Sequence, residues 1–293
     1  MEIKKKRRHV RLKPRFYGWL IAACVVITSV VFFINYNPNA GVQKKLAEVE
    51  TVAQSFKSVT EDTVKTGQEK LLSESKKKEE AIKQRLKSGD TKGIKVVFLT
   101  FDDGPSEHTN AILDLLKKYD AKATFFPNGR EKEVELAAYK RIVQEGHTLG
   151  NHTYHHQYGL YNNPPAFYDD VAALDDLEKR ATGIPQPSKM FRFPGGSNNS
   201  NATCVKGIVE RGYNYADWNV SSGDGGSNPQ SAAEIANRII SGVHEHDVST
   251  VLCHAEMKST THEALPQVLE TLKAEGYVFL PMDAGLEIYP RFL

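Results

Sequence analysis

Ile94-Lys95-Val96-Val97-Phe98-Leu99-Thr100-Phe101-Asp102-Asp103-Gly104-Pro105 is the stretch on which the fold turns. Residues 94–101 form an almost unbroken β-branched and aromatic run, the pattern of a strand buried on both faces. The run stops at two adjacent carboxylates followed by Gly-Pro. Packing does not explain that pair; an ordinary Asp-Gly-Pro turn is the plain alternative. Downstream the hydrophobic period keeps changing. Ile112, Leu113, Leu115, Leu116 and Tyr119 mark a helix, 122–126 a strand, 133–145 a helix stopped by Gly146, and 167–182 another helix. Short strands at 190–193, 213–218, 250–253 and 277–280 interleave with helices over 205–211, 232–240 and 263–274. This alternation predicts an α/β fold with a parallel sheet, barrel-like or doubly wound, whose sites lie at the carboxyl ends of strands.

Polar clusters fall at those ends. Gly150-Asn151-His152-Thr153-Tyr154-His155-His156 carries two imidazoles, His152 and His156, spaced so that one helical turn would put both on one face. With one carboxylate they make a metal site with room for water, and His155 is the spare. Phe191-Arg192-Phe193-Pro194-Gly195-Gly196-Ser197 places an Arg, suited to holding a carboxylate, before a glycine turn whose backbone can face a ligand. Asp217-Trp218-Asn219-Val220-Ser221-Ser222-Gly223-Asp224-Gly225 and Leu252-Cys253-His254 complete the set. Any one of these has a bland explanation; five at five strand ends do not read as independent accidents.

Before residue 92 the texture differs. Residues 1–15 are a basic tail in which Lys4, Lys5, Lys6, Arg7, Arg8, Arg11, Lys13 and Arg15 are opposed only by Glu2. Residues 16–36 are apolar and uncharged, close to the ~20 residues a helix needs to span a bilayer. The flanking charge predicts a single-pass anchor with the N-terminus cytoplasmic and the rest extracytoplasmic. Cleavage of this segment as a signal peptide, or lipidation at Cys24 within Ile21-Ala22-Ala23-Cys24, are the alternatives. Residues 37–91 read as a polar stalk, helical or partly disordered. Val42, Leu46, Val49, Ala53 and Phe56 follow a heptad-like stripe, echoed by Ile82 and Leu86, so a homodimer through the stalk is the sharper alternative to a plain spacer. Residues 92–293 are then the globular domain.

The formal net charge of +2, from 38 basic and 36 acidic side chains, offers no global argument for nucleic acid. Three cysteines give no disulfide framework, and the sequence leaves open whether Cys204 and Cys253 pair.

Taken together and in order, Thr100-Phe101-Asp102-Asp103-Gly104-Pro105, His152-Thr153-Tyr154-His155-His156, Arg192 with its glycine turn, Asp224 and Leu252-Cys253-His254 resemble the polysaccharide deacetylases of carbohydrate esterase family 4, the NodB-homology domain. The resemblance covers about residues 92–293. It implies a distorted (β/α) barrel with fewer than eight complete repeats. It implies a divalent metal held by Asp103, His152 and His156, usually Zn2+, with Co2+, Mn2+ or Ni2+ as alternatives. By the same resemblance Asp102 is the general base, Arg192 orients it and Asp224 supports that charge network. Leu252 lines the pocket for the acetyl methyl, and His254 is the general acid. The implied reaction is hydrolysis of the N-acetyl group of amino sugars in a cell-envelope glycan, in the first place peptidoglycan N-acetylglucosamine. N-acetylmuramic acid, chitin-like oligomers, an exopolysaccharide and O-acetylated xylan are alternative targets.

Two departures bear on the sugar-binding surface. The family's third motif usually reads Arg-Pro-Pro-Tyr-Gly; here Phe193 replaces the first proline and Gly195 stands at the Tyr position, where its backbone N–H can still help hold an oxyanion. The fourth motif lacks its first Asp and its Trp, and Trp218 stands earlier as a candidate to fill part of that space. A silent glycan-binding protein is the reading from another class, but the catalytic set is complete. A Cys253–His254 hydrolase is disfavoured, because neighbours on a strand face opposite ways.

Overall fold

The computed structural model describes residues 50, 51, 53–55, 57, 69, 73–185, 188–228, 230–255 and 259–293. The basic tail, the expected anchor at 16–36, Cys24 and most of the heptad stripe lie outside the described residues. Among the described residues, no helix is long and apolar enough to cross a membrane. The chain divides between Lys76 and Lys77 into two units.

The second unit runs α1 (residues 77–87), β1 (Val96–Asp102), α2 (Glu107–Lys118), β2 (Thr124–Phe126), α3 (Glu133–Gln144), β3 (Thr148–Leu149), a 3-10 turn at Tyr158–Asn162, α4 (Pro164–Thr182), β4 (Met190–Phe191), α5 (Ala202–Glu210), β5 (Asn214–Tyr215), β6 (Val220–Ser221), α6 (Ala232–Val243), β7 (Val248–His254), α7 (Ser259–Ala274) and β8 (Val278–Phe279). The sheet order is β3-β2-β1-β7-β6, with β8 paired to the start of β1, and every pairing is parallel. β4 and β5 form a separate parallel pair, and an Asn151–Phe191 bridge joins it to the β3 edge. The expected α/β parallel architecture is present. Among the described residues no ladder joins β5 to β6, so the barrel is incomplete in its hydrogen bonding.

β1 explains the layout. All seven of its residues are buried, and they alternate between two cores. Val97, Leu99 and Phe101 pack outward with Ile112, Leu116, Ile142, Ile239 and Leu269 of the helices. Val96 and Phe98 pack inward with Phe126, Met190, Ala216 and Leu280. Each such side chain contributes about 1.5–3 kcal/mol by leaving water. The next inward positions are Thr100 and Asp102, so the inner core turns polar at the carboxyl end of the strand.

The globular unit reaches back further than residue 92. Ile82 and Leu86 of α1, assigned by composition to the stalk, are buried with Ile94, Leu286 and Tyr289. The Lys/Glu run around them concealed an apolar face of only two residues. Cys204 and Cys253 are both free and buried in separate cores, which closes the question of their pairing.

Candidate active site

Register brings the site together. β7 runs beside β1 so that Leu252 pairs with Thr100 and His254 with Asp102. Leu252 and His254 share a strand face, while Cys253 turns into the outer core, where burial pushes its thiol well above the ordinary value. No Cys253–His254 nucleophile pair exists.

Asp102 is buried and faces Arg192, which is fully buried. Arg192 Nη1 donates to both Asp102 oxygens at 3.3 and 3.2 Å. Its other donors reach Thr100 Oγ1, the Ala216 carbonyl and the Asp217 carbonyl, so the fork is fixed from several sides. Burial raises the Asp102 carboxyl above its usual range, with Arg192 and His254 pulling it back.

The expectation that a helical turn unites His152 and His156 is wrong. Residues 152–157 hold no helix; the loop doubles back through left-handed residues at Thr153 (φ 64°) and His156 (φ 53°). Asp103 is left-handed too (φ 65°). Such positions cost about 1–3 kcal/mol each and persist where surrounding bonds over-determine them. Those bonds are present. Asn128 Nδ2 donates to the carbonyls of His152 and Thr153, Thr153 N donates to Asn151 Oδ1, and His156 N donates to Thr153 Oγ1. His155 points away onto Asp170.

Asp103, His152 and His156 each offer a ligand atom within 4.8 Å of the others. Asp103 Oδ1 lies 4.0 Å from His152 Nε2 and 3.8 Å from His156 Nε2. These gaps are within twice a metal–ligand bond of ~2.0–2.2 Å. His152 Nδ1 sits 2.7 Å from the Arg192 carbonyl, which fixes Nδ1 as the protonated nitrogen and leaves the Nε2 lone pair free. Burial pushes His152 down to about 3, so the imidazole is neutral across the physiological range. The donor set therefore fits a first-row divalent cation.

On the opposite side His254 Nδ1 donates to Asp224 Oδ1 at 2.8 Å, and its backbone N–H donates to Asp224 Oδ2. Ser222 and Thr261 hydroxyls complete the buried carboxylate's shell. Burial opposes the imidazolium, but the Asp224 hydrogen bond and charge, helped by Asp102 and Asp103, hold His254 up at about 9. Asp224 thus supports His254, not the Arg192–Asp102 pair as the resemblance implied. Asp217, quoted from the sequence without a role, is the residue whose carbonyl braces Arg192, while its carboxylate accepts from Ser197 N and Phe292 N.

Leu252 is buried beside His254 in the strand, and Trp218 is half-buried with the Arg192 guanidinium 5.4 Å from its ring centroid. Gly195 is half-buried at φ 72°, and its N–H finds no acceptor among the described residues. Two contacts escaped sequence reasoning. A Cβ on Gly225 would stand 2.5 Å from His254 Cε1, so only glycine leaves room for that ring. The Tyr158 ring lies edge-on to His156 at 5.4 Å.

Comparison with known proteins decides the affiliation. The family described as polysaccharide deacetylase matches residues 89–216. A peptidoglycan-N-acetylglucosamine deacetylase of Bacillus cereus is 30% identical over 190 residues, covering 64% of this chain and 87% of its own. The chain belongs to the polysaccharide deacetylase family. The catalytic domain of a peptidoglycan N-acetylglucosamine deacetylase from Eubacterium rectale superposes with a TM-score of 0.62 at 36% identity, covering 68% of this chain and 93% of that one. A peptidoglycan-N-acetylmuramic acid deacetylase of Bacillus subtilis is 29% identical over 197 residues, covering 67% of this chain and 72% of its own. This polysaccharide deacetylase therefore has the NodB-type α/β fold and is a hydrolase of carbohydrate esterase family 4, a family that depends on metal. Asp224 and His254 lie beyond the segment the family pattern matches, but β7 pairing returns His254 to Asp102.

Proposed function

We propose that this deacetylase hydrolyses the N-acetyl group of N-acetylglucosamine in peptidoglycan, from a catalytic domain held outside the cell membrane by the apolar segment 16–36. The observation that carries the reaction is the gathering of three groups at the paired ends of β1 and β7: the Asp103–His152–His156 donor set, the Asp102–Arg192 pair and the Asp224–His254 pair. The names and coverage of the relatives support peptidoglycan as the substrate. The basic tail and the apolar run support the anchor and the cell-membrane location.

Asp103, His152 and His156 would hold a divalent metal, Zn2+ by the preference of two imidazoles and a carboxylate, which would supply carbonyl polarisation and a lowered water pKa. Asp102, steadied by Arg192, takes the proton of the attacking water; its raised carboxyl is the stronger base for that task. Water adds to the acetyl carbon, and the Gly195 N–H takes the oxyanion. Leu252 receives the methyl. His254, protonated at neutral pH, hands its Nε2 proton to the amine as the C–N bond breaks. Acetate and a glucosamine residue leave.

N-acetylmuramic acid is the competing sugar, supported by the Bacillus subtilis relative. Mass spectrometry of muropeptides from cells with and without the protein separates the two. Deacetylated glucosamine units that vanish with the gene are the expected result; loss of deacetylation only at muramic acid transfers the assignment. Protease added to intact cells should cleave the catalytic domain; complete protection places it inside and sinks the topology.

A further inference from the structure

Large apolar side chains exposed on the described surface are few: Val134, Tyr158, Val209, Phe292 and Leu293. Only two of these are aromatic, Tyr158 at 55% and Phe292 at 43% exposed, and both lie against the pair of glycines that follows Arg192. A Cβ on Gly195 would stand 2.9 Å from Tyr158 Cε1 and 3.2 Å from its hydroxyl. A Cβ on Gly196 would stand 3.2 Å from Phe292 Cδ2 and 3.2 Å from Trp218 Cη2. The two glycines, at φ 72° and 92°, let rings from distant parts of the chain close on one loop.

Neither ring is there to fill the core. Tyr158 opens the 3-10 turn and touches His156 edge-on; Phe292 meets Trp218 edge-on at 5.1 Å. Phe292 is fixed by its backbone N–H, which donates to Asp217 Oδ2 at 2.7 Å, and the residue stays 43% exposed. An exposed aromatic face is suited to a ligand that is apolar on one side and wet on the other. A pyranose ring has that character, with C–H groups on its faces and hydroxyls around its edge.

We propose that Tyr158 and Phe292 are glycan-stacking platforms beside the reaction centre, and that they select chains of several sugars over a single acetylated unit. This rests on the reading of the site as a glycan deacetylase. Tyr158 lies next to a residue of the metal set and contacts the sugar that reacts; Phe292, next to Trp218, contacts a neighbouring sugar of the same chain.

The test uses the full chain in detergent with zinc, as wild type, Tyr158→Ala, Tyr158→Phe and Phe292→Ala. Calorimetry reads the affinity for N-acetylglucosamine tetramer; acetate release reads kcat and KM for the tetramer and for a small aryl acetate. Loss of one stacking contact should weaken tetramer binding and raise its KM about three- to ten-fold in each Ala variant. Zinc content should stay at the wild-type value in every variant, and Tyr158→Phe should bind as wild type does. Unchanged affinity in both Ala variants overturns the proposal. Loss of zinc and of aryl acetate turnover in Tyr158→Ala would make that ring a mere prop for His156 and overturns its part. If wild type binds the tetramer but releases no acetate, the deacetylase reading fails while the affinities still decide the platforms.

Discussion

Asp224 accepts from both the Nδ1 and the backbone N–H of His254, and its charge offsets the burial that would otherwise neutralise the ring. Replacing Asp224 by Asn keeps the burial and removes the charge. The folded pKa of His254 then drops from about 9 toward or below its ordinary 6.5. An acid that must be protonated loses activity as pH rises through its pKa, so the falling limb of kcat/KM moves from near 9 to lower pH. At neutral pH the loss is on the order of 10²–10⁴, the usual worth of a positioned acid or base. A falling limb that stays put removes His254 from the acid's role. Gly225→Ala should displace the same ring without touching the metal set. Misplacement of this size costs roughly 10²-fold in kcat, with zinc affinity unchanged; equal loss of zinc would point to a wider collapse. Charged residues of this site were legible because carboxylates and imidazoles at strand ends have no packing role to play. Gly225 and Tyr158 were not, because the room Gly225 leaves for the His254 ring and the edge-on contact of Tyr158 with His156 are tertiary placements that no sequence spacing reveals.

Among elements, β1 was legible from end to end because both its faces are buried, leaving a continuous apolar run. β3 and β6 are two residues long, too short for any period to establish itself, while the equally short β4 and β5 fall inside the strands expected at 190–193 and 213–218. The loop after β3 misled for a related reason: a spacing of four suggests a helical turn, yet Thr153 and His156 sit in left-handed backbone and tertiary hydrogen bonds decide the path. α1 misled in the other direction, its two buried residues hidden in a charge run. Leu86 is 2% exposed in the inner core, so Leu86→Ala should lower unfolding stability by about 2–5 kcal/mol. Denaturant titration checks this, and a change under 0.5 kcal/mol, as typical of surface sites, would return α1 to the stalk.

For the molecule as a whole, Glu178 sets an avoidable strain on stability. Among the described residues it is buried with no hydrogen-bond partner on either carboxylate oxygen, lining a cavity with His147, whose Nε2 also finds none among them. Burial, reinforced by Asp175 and opposed by Lys189, raises the Glu178 carboxyl well above 4.5. A raised folded pKa means that the stability of the protonated form is complete below about 4.5 and is lost as pH climbs through the folded value. Burial lowers His147 to about 4, which works the other way between 4 and 6.5 but equally in both proteins compared. The melting temperature of Glu178→Gln, relative to wild type, should therefore rise between pH 5 and pH 8, by about 2–4 °C per kcal/mol of relieved strain. A pH-independent difference would mean that Glu178 titrates normally.

Acetate release from purified peptidoglycan by the full chain, compared with zinc, with chelator and in Asp102→Ala, tests the account most directly. Release that needs the metal and falls at least about 10²-fold in the variant is the predicted result. Release that survives both chelation and the substitution would contradict it, because neither the Asp103–His152–His156 set nor the Asp102 base would then be doing the chemistry.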